Sequence, residues 1–461
     1  MASAFACVLS LVTANPARSA DAVPANLTVS QALDIALGGH ARIQEAEKSY
    51  VVSQSRLRIA GITSSFSVGS EVSLERDRST SLAPNTFHGN YAYESLFGTS
   101  ARINVSPIAF GRSRGSMDLS LRHPLIKGRG ALSDKGNAFL EAQSSLGIEA
   151  KQLFMTRQDI VQRVVSAYYK AVLAREQVKV QEQAVRIAEE VALSARKLVD
   201  AGYSAGIEAS RAEIRVAQTK DRLNTQKQSA KGAIESLMLA IGVGVGQTPG
   251  LVDNVPDTPL ATPTLEEALK KALANRPELF VADQQISNQQ RALEIARDQL
   301  RPSLDAIASF RSSNANSGFI SDANLIGRDV TAGVEYTVPL DKRIYIERSD
   351  NERRELESMR RLRTYQLESI AEEVGRAYRS VQTATNSLKI YADNRKVYEE
   401  NYQLADRMLK EASGTNRDIL DAQEALTQVE GSILQAKADL YLASIELQAA
   451  MGEDLTKIGI K

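Results

Sequence analysis

Between Phe139 and about Val199 no proline interrupts the chain, and Val164, Ala171, Val178, Val185, Ala192 and Val199 recur at every seventh position. A second stripe runs three residues behind the first, through Ala167, Ala174, Gln181, Ala188 and Ala195. A heptad sustained this long predicts coiled-coil packing, and alanine along one stripe lets helix axes come close. About 60 residues in such a helix, at ~1.5 Å each, make a rod of roughly 90 Å. The spacing returns at Val374, Val381, Leu388, Arg395, Tyr402 and Leu409. An ordinary antiparallel bundle also explains heptads.

Such a bundle leaves the segments with a period of two unexplained. Phe66, Val68, Val72 and Leu74 alternate with Ser65, Ser67, Glu71, Ser73 and Glu75, and Met117, Leu119 and Leu121 with Ser116, Asp118, Ser120 and Arg122. Further along, Leu304, Ala306, Ala308 and Phe310 alternate with Ser303, Asp305, Ser309 and Arg311. Val330, Ala332, Val334, Tyr336 and Val338 alternate with Asp329, Thr331, Glu335 and Thr337. One apolar and one polar face predict a sheet between a greasy and a wet side, and strands of about ten residues match a tilted bilayer crossing. A half-buried soluble sheet has the same pattern. Four strands cannot close a barrel, and open edges are not tolerated in lipid. The sheet is therefore either soluble or completed by other chains.

The chain is also written twice. Val29, Ala32, Leu33, Ala36 and Leu37 match Leu265, Ala268, Leu269, Ala272 and Leu273, 236 residues on. Ala167-Tyr168 matches Ala377-Tyr378, and Ala240-Ile241-Gly242 matches Ala450-Met451-Gly452, both at 210. The change from 236 to 210 puts about 26 extra residues of the first copy between its short helix and its long ones. The expected plan is a first repeat over 23–248, with a short helix, strands over about 64–124 and a helical hairpin over 137–242. A linker follows over 249–263, marked by prolines at 249, 256, 259 and 263. The second repeat covers 264–453, with strands over about 302–340 and a hairpin over 347–452, ahead of a short tail, 454–461.

Charge and composition narrow the classes. Lys+Arg and Asp+Glu are equal at 56 each, so no global bias draws the chain to nucleic acid. Aromatics reach only 5 % and Trp is absent, which fits burial through long helices better than a compact enzyme core. The apolar run Phe5 to Val12 followed by Ala20-Asp21-Ala22 is expected to be a secretory signal, residues 1–22, although it lacks a basic start. Cys7, the only cysteine, falls inside it, and a cysteine-free mature chain suits an oxidising compartment. After residue 22 no apolar run approaches the roughly 20 residues of a spanning helix, so any membrane crossing is made by strands.

Candidate chemistry is sparse. Gly242-Val243-Gly244-Val245-Gly246 follows a helix rather than a strand and reads as a helix stop, not a phosphate loop. His40, His88 and His123 are too scattered to predict a metal cluster, and no serine sits in a nucleophile-elbow sequence. Arg353-Arg354 and Arg360-Arg361 share their helix with Glu347, Glu352, Glu355 and Glu357, the pattern of a solvated face. No catalytic residue, metal or cofactor is expected. Asp418 and Asp421 sit three apart at a helix start and share a face; their counterparts 210 residues earlier are Glu208 and Arg211. Helix capping is one use for Asp418. Gly202, Gly206 and Gly414 mark reversals between long helices, where positive φ is needed at low cost.

Together these pieces resemble the TolC family of outer-membrane efflux and secretion channels over essentially the whole mature chain. The resemblance is carried by Leu27-Thr28-Val29-Ser30-Gln31-Ala32-Leu33 and Thr264-Leu265-Glu266-Glu267-Ala268-Leu269, the two short helices. It is carried further by the strand-to-helix junctions, His123 to Gly130 and Val338-Pro339-Leu340, and by the hairpin turns, Ala201 to Gly206 and Gly414 to Gln423.

The resemblance implies a mixed α+β membrane protein: a homotrimer, four strands per chain in one transmembrane β-barrel, and a long coiled-coil α-helical barrel through the periplasm. It implies an outer-membrane exit duct working with a periplasmic adaptor (membrane fusion) protein and an inner-membrane transporter. Gly202, Gly206 and Gly414 would then mark adaptor docking, and Asp418, Asp421, Glu208 and Arg211 the periplasmic constriction. The stretch from about Ser79 to Arg114 exceeds the minimal family loop and alternates at Ile103 and Val105, leaving a large external loop or an extra hairpin open. The competing reading is a soluble periplasmic coiled-coil adaptor or scaffold that binds a partner through its hairpin tips.

Overall fold

A computed structural model describes residues 24–71, 86–109, 116–202, 206–244, 246–256, 258–313, 328–411 and 415–456. The expected signal, residues 1–22, lies outside them, as do Val72, Leu74 and Gly414. The chain divides into two compact units. One holds residues up to Glu45, Phe154–Arg276 and Glu368–Lys461; the other holds Ala46–Leu153 and Pro277–Leu367.

Most of the first unit is helical. Helix α1 (Val29–Gly39) opens on a capping box, in which the Thr28 side chain accepts from the Gln31 amide and the Gln31 side chain from that of Thr28. Helix α5 (Leu265–Asn275) opens the same way on Thr264 and Glu267. Each box satisfies two amides that a helix start otherwise leaves bare. The long helices are α3 (Asp134–Asp200), α4 (Gly206–Ile241), α7 (Arg343–Lys410) and α8 (Asn416–Ala450). Of the α3 stripes, Val164, Ala171, Val185, Ala174, Ala188 and Ala195 are buried. Tyr168 and Tyr169 are fully buried with edge-on rings 5.5 Å apart, and Tyr441 of α8 packs edge-on against Tyr169 at 4.7 Å. Each such pair adds about 0.5–1.5 kcal/mol beyond its buried area.

A two-stranded parallel ladder ties the chain start to the linker: β1 (Asn26–Leu27) pairs with β6 (Gly250–Leu251). Asp253 anchors it, accepting from the Val29 amide at 2.8 Å and the Tyr168 hydroxyl at 2.7 Å. That hydroxyl also lies 3.0 Å from the Leu27 carbonyl. Burial, then the bond to Asp253, raises the Tyr168 phenol pKa well above its ordinary value. Arg175 donates to the carbonyls of Leu251 and Asp253. Helix α4 ends as the glycine run predicts: Gly242 takes φ +86° and Val243 donates back to Met238 at 3.0 Å.

Among the described residues the second unit holds an antiparallel sheet of six strands, in the order β2 (Ser64–Glu71), β3 (Thr86–Glu94), β4 (Ser100–Ala109), β5 (Ser116–Pro124), β7 (Ser303–Ser313) and β8 (Arg328–Thr337). This corrects the expectation of four strands per chain. The hairpin β3–β4 stands between β2 and β5, in the stretch where the first copy carries its extra residues. Helices α2 (Ala41–Ala60) and α6 (Pro277–Asp298), also unforeseen, precede the two groups of strands. Helix α6 is fixed to α3 by polar contacts: Asn288 to Ser144 at 2.9 Å and Arg291 to Asn137 at 2.8 Å. Among the described residues no helix is long and apolar enough to cross a membrane.

Candidate functional site

Residues directly opposite in neighbouring strands share a face of the sheet. From the register, Phe66 stands opposite Tyr91, Tyr91 opposite Ile103, Ile103 opposite Leu119, and Leu119 opposite Phe310, which faces Val330. This face is apolar across all six strands. It is also bare: Phe66 is 71 % exposed, Val330 76 %, Val334 64 % and Tyr336 62 %. A soluble sheet buries such a face, and an exposed apolar patch of this extent marks a surface made for an apolar partner.

The opposite face is charged. Asp118 stands opposite Arg311, which stands opposite Asp329, and Asp305 stands opposite Glu335. Arg311 binds Asp118 at 2.5 Å, and Arg122 bridges Asp305 at 3.2 Å and Glu335 at 2.5 Å. Arg102, Asn104 and Asn90 continue this face onto β4 and β3. Sequence reading identified the alternation on β5, β7 and β8, but not this cross-strand charge ladder, which needs the register.

In the first unit, the starts of α4 and α8 line one depression, with Glu208, Arg211, Asn416, Arg417 and Asp421 on its walls. The structure thus brings together three of the four predicted constriction residues. Each carboxylate has a partner from its own helix: Glu208 pairs with Arg211 at 2.6 Å and Asp421 with Arg417 at 3.5 Å. Asp418 is used as a cap. Its carboxylate accepts from the Thr415 amide at 2.9 Å and hydroxyl at 2.6 Å, while its own amide donates to Thr415 Oγ1 at 3.3 Å. Those bonds to Thr415 hold the Asp418 pKa below the ordinary carboxylate range.

Behind this depression, Arg215 and Arg222 of α4 both bind Glu424 of α8, the second at 2.7 Å. These three residues escaped the sequence reading. Their signal was available: Glu208, Arg211, Arg215 and Arg222 fall at spacings of three, four and seven, one face of a helix. Beneath them Ile419, Leu420 and Ala422 pack with Val191 of α3 and Ala405 of α7.

Of the glycines, Gly202 has φ +76°, the left-handed conformation that the reversal needs, whereas Gly206 is the first residue of α4. His123 Nδ1 lies 2.8 Å from Thr99 Oγ1, and His40 Nδ1 accepts from the Arg42 amide at 3.2 Å. Among the described residues no three His, Cys, Asp or Glu are grouped to hold a metal.

Known proteins agree with this arrangement. The chain superposes on CusC with a TM-score of 0.70 at 14 % identity, covering 92 % of each chain, in a structure described as showing transmembrane channel formation. It superposes on the outer membrane protein VceC of Vibrio cholerae with a TM-score of 0.68 at 14 % identity, covering 92 % of this chain and 96 % of that one. The MtrE outer membrane channel of Neisseria gonorrhoeae, in its open state, matches at 0.68 and 14 % identity, with 93 % and 89 % covered. At such identities these likenesses speak for the fold. No match was found among curated protein sequences. The family model described as outer membrane efflux protein matches residues 137–243 and 268–453, more than half of the sequence, and the chain belongs to that family.

Proposed function

We propose that the protein is the exit duct of a tripartite efflux or type I secretion system. It would passively carry drugs, small molecules or proteins from an inner-membrane transporter and its periplasmic adaptor to the exterior. Family membership puts it in the outer membrane, reaching into the periplasm. The observation that carries the reading is the sheet with one bare apolar face and one charged face. Lipid covers the first and a water-filled lumen the second, the division a membrane barrel requires. A soluble adaptor would leave the apolar face in water.

Three copies, each built as two internal repeats, would form the channel. Helix α7 supports such an assembly, since Ile390, Val397 and Leu404 recur every seventh residue and are 57 %, 63 % and 51 % exposed. That is an apolar stripe of the kind helices bury against a neighbour. Adaptor docking is assigned to the hairpin tips, around Gly202, Gly206 and Gly414. The periplasmic entrance is assigned to Asp421, Glu208 and Arg211, with Asp418 holding the turn in shape. Three Asp421 carboxylates, one from each copy, would still favour cations at a narrow mouth, although Arg417 beside each of them tempers that preference. The chemistry is conduction, and no side-chain constellation for catalysis enters it.

The test is reconstitution. Protein extracted from the outer membrane in detergent should run as a trimer and give discrete conductance steps in planar bilayers. Extraction by salt or buffer alone as a monomer, without conductance, would overturn the channel reading.

A further inference from the structure

The hairpin β3–β4 is built into the sheet rather than appended to it. Strand β3 pairs with β2 from Ser64↔Tyr93 to Glu71↔Thr86, and β4 pairs with β5 from Ser100↔Arg122 to Ser106↔Ser116. Its side chains obey the faces of the other strands, with Tyr91 and Ile103 on the apolar one and Asn90 and Arg102 on the charged one. The turn joining the two strands is locked down as well. Ser133 Oγ donates to the Leu96 carbonyl at 3.1 Å, and the Gly130 amide to that of Phe97 at 3.4 Å. A Cβ on Gly136 would lie 2.7 Å from the Leu96 carbonyl, and one on Gly98 2.6 Å from that of Gly128. Backbone approaches this close are possible only with glycine.

We propose that all six strands stand in the membrane wall. The wall closes by pairing β8 of one copy with β2 of the next, so that three copies of six strands make a barrel of eighteen. The number of copies rests on the trimer reading above; the pairing and the six strands per copy do not. Six is below the eight strands of the smallest membrane barrels, so one chain cannot close alone. Among the described residues, β2 and β8 are the two free edges of the sheet. In lipid, unpaired edge groups cost several kcal/mol each, so both must find partners. Because an even number of alternating strands separates them, β8 and the next β2 meet antiparallel, the pairing every other neighbour uses. A head-to-tail contact of this kind closes into a ring.

The consequence is a wide outer-membrane end. Barrel diameter grows roughly linearly with strand number. Eighteen strands therefore give a lumen about 1.5 times as wide as twelve, with about twice the cross-section, in the range of water-filled porins. Selection of cargo would then fall to the helical end, while the outer-membrane end admits bulky solutes.

The experiment uses the full chain with Cys7→Ser, which removes its only cysteine. Cysteine pairs placed on β2 (Phe66, Val68) and β8 (Val330, Val334, Tyr336) are oxidised in the outer membrane. At least one pair should give a ladder of linked species that ends at three copies. A fluorophore on single cysteines at Tyr91 and Ile103 should be quenched by brominated lipid as strongly as one at Leu119. Electron cryo-microscopy of the unsubstituted trimer should count eighteen strands. A Phe66–Leu121 cross-link within one copy, labels at Tyr91 and Ile103 unquenched while Leu119 is quenched, or a count of twelve would each overturn the proposal. Loss of quenching at all three positions would instead strike the membrane reading itself.

Discussion

The apolar face of the sheet makes a quantitative demand. Leu119 lies next to the midpoint of β5, Ser116–Pro124, and is 37 % exposed on the apolar face; Ser120, its neighbour, points to the charged one. Nine residues at roughly 3.3 Å each, tilted by about 40°, span about 22 Å, close to the height of the apolar band of such barrels. Leu119 therefore sits within a few ångströms of mid-depth. An arginine there costs about 2–4 kcal/mol per copy. That is roughly a 30- to 1000-fold shift in the folding equilibrium, since about 1.4 kcal/mol is a factor of ten. Ser120→Arg places the same charge in the lumen, between Asp118 and Arg122 on its own strand and opposite Ser309 and Arg102, where water screens the like charge, so its cost is small beside that at Leu119.

Folding into phosphatidylcholine vesicles under a urea series, read by heat-modifiable gel mobility, compares the two. Leu119→Arg should lower the midpoint sharply and Met117→Arg, nearer the strand end, by less. Ser120→Arg should stay near the parent. Equal penalties at Leu119 and Ser120 would mean that the apolar face meets no lipid, and the division into lipid and lumen faces would fail.

Three further outcomes follow from the helical unit. Asp253→Ala strips the Val29 amide of its acceptor and leaves the Tyr168 hydroxyl only the Leu27 carbonyl, and should cost roughly 1–3 kcal/mol in urea unfolding, with Tyr168→Phe costing less. Asp418→Ala should speed hydrogen exchange in the first turn of α8 while Asp421→Asn leaves it unchanged, because only Asp418 completes the capping box. The Asp418 pKa is depressed by Thr415, so this protection is present above the ordinary carboxylate range and lost as pH falls through the lowered value. His40 is held below its ordinary pKa by burial and then by Arg42 and Arg163, and it accepts the Arg42 amide only when neutral. Its contribution is therefore present above about pH 6.5 and lost as pH falls through its folded-state value. Thermal unfolding should show a drop between pH 8 and pH 5 that shrinks in His40→Asn.

What was legible in the sequence follows from where each signal lives. The long helices are written in single-chain periodicity: alanine and valine every seventh residue survive into the structure as buried Val164, Ala171 and Val185. The capping boxes at Thr28 and Thr264 are local chemistry and were equally readable. Helix α2 was not, because Val51, Val52 and Ile59 remain exposed and no apolar stripe marks its face. Strands β3 and β4 were half legible: the alternation at Ile103 and Val105 of β4 left an extra hairpin open, while β3 gave no such signal. Gly89 and Ala92 dilute the alternation of β3, and the register shifts between Phe87 and Gly89, which breaks the period of two that strand reading depends on. A second trace was arithmetical, the 26 residues by which the two copies differ.

The entrance shows a sharper limit. The spacing of Asp418 and Asp421 is the same for a shared pore face and for a capping residue with a neighbour one turn on. Only the orientation of Thr415 separates the two, and it assigns Asp418 to the turn. On the proposed channel reading, Asp421, Glu208 and the Arg215–Glu424–Arg222 bridge would then be the groups left to meet a passing solute. Such a mouth would be lined by carboxylates paired with guanidiniums rather than by bare carboxylates. Its cation preference should therefore rise when Arg417 is replaced by Gln, since that frees Asp421 without touching the cap.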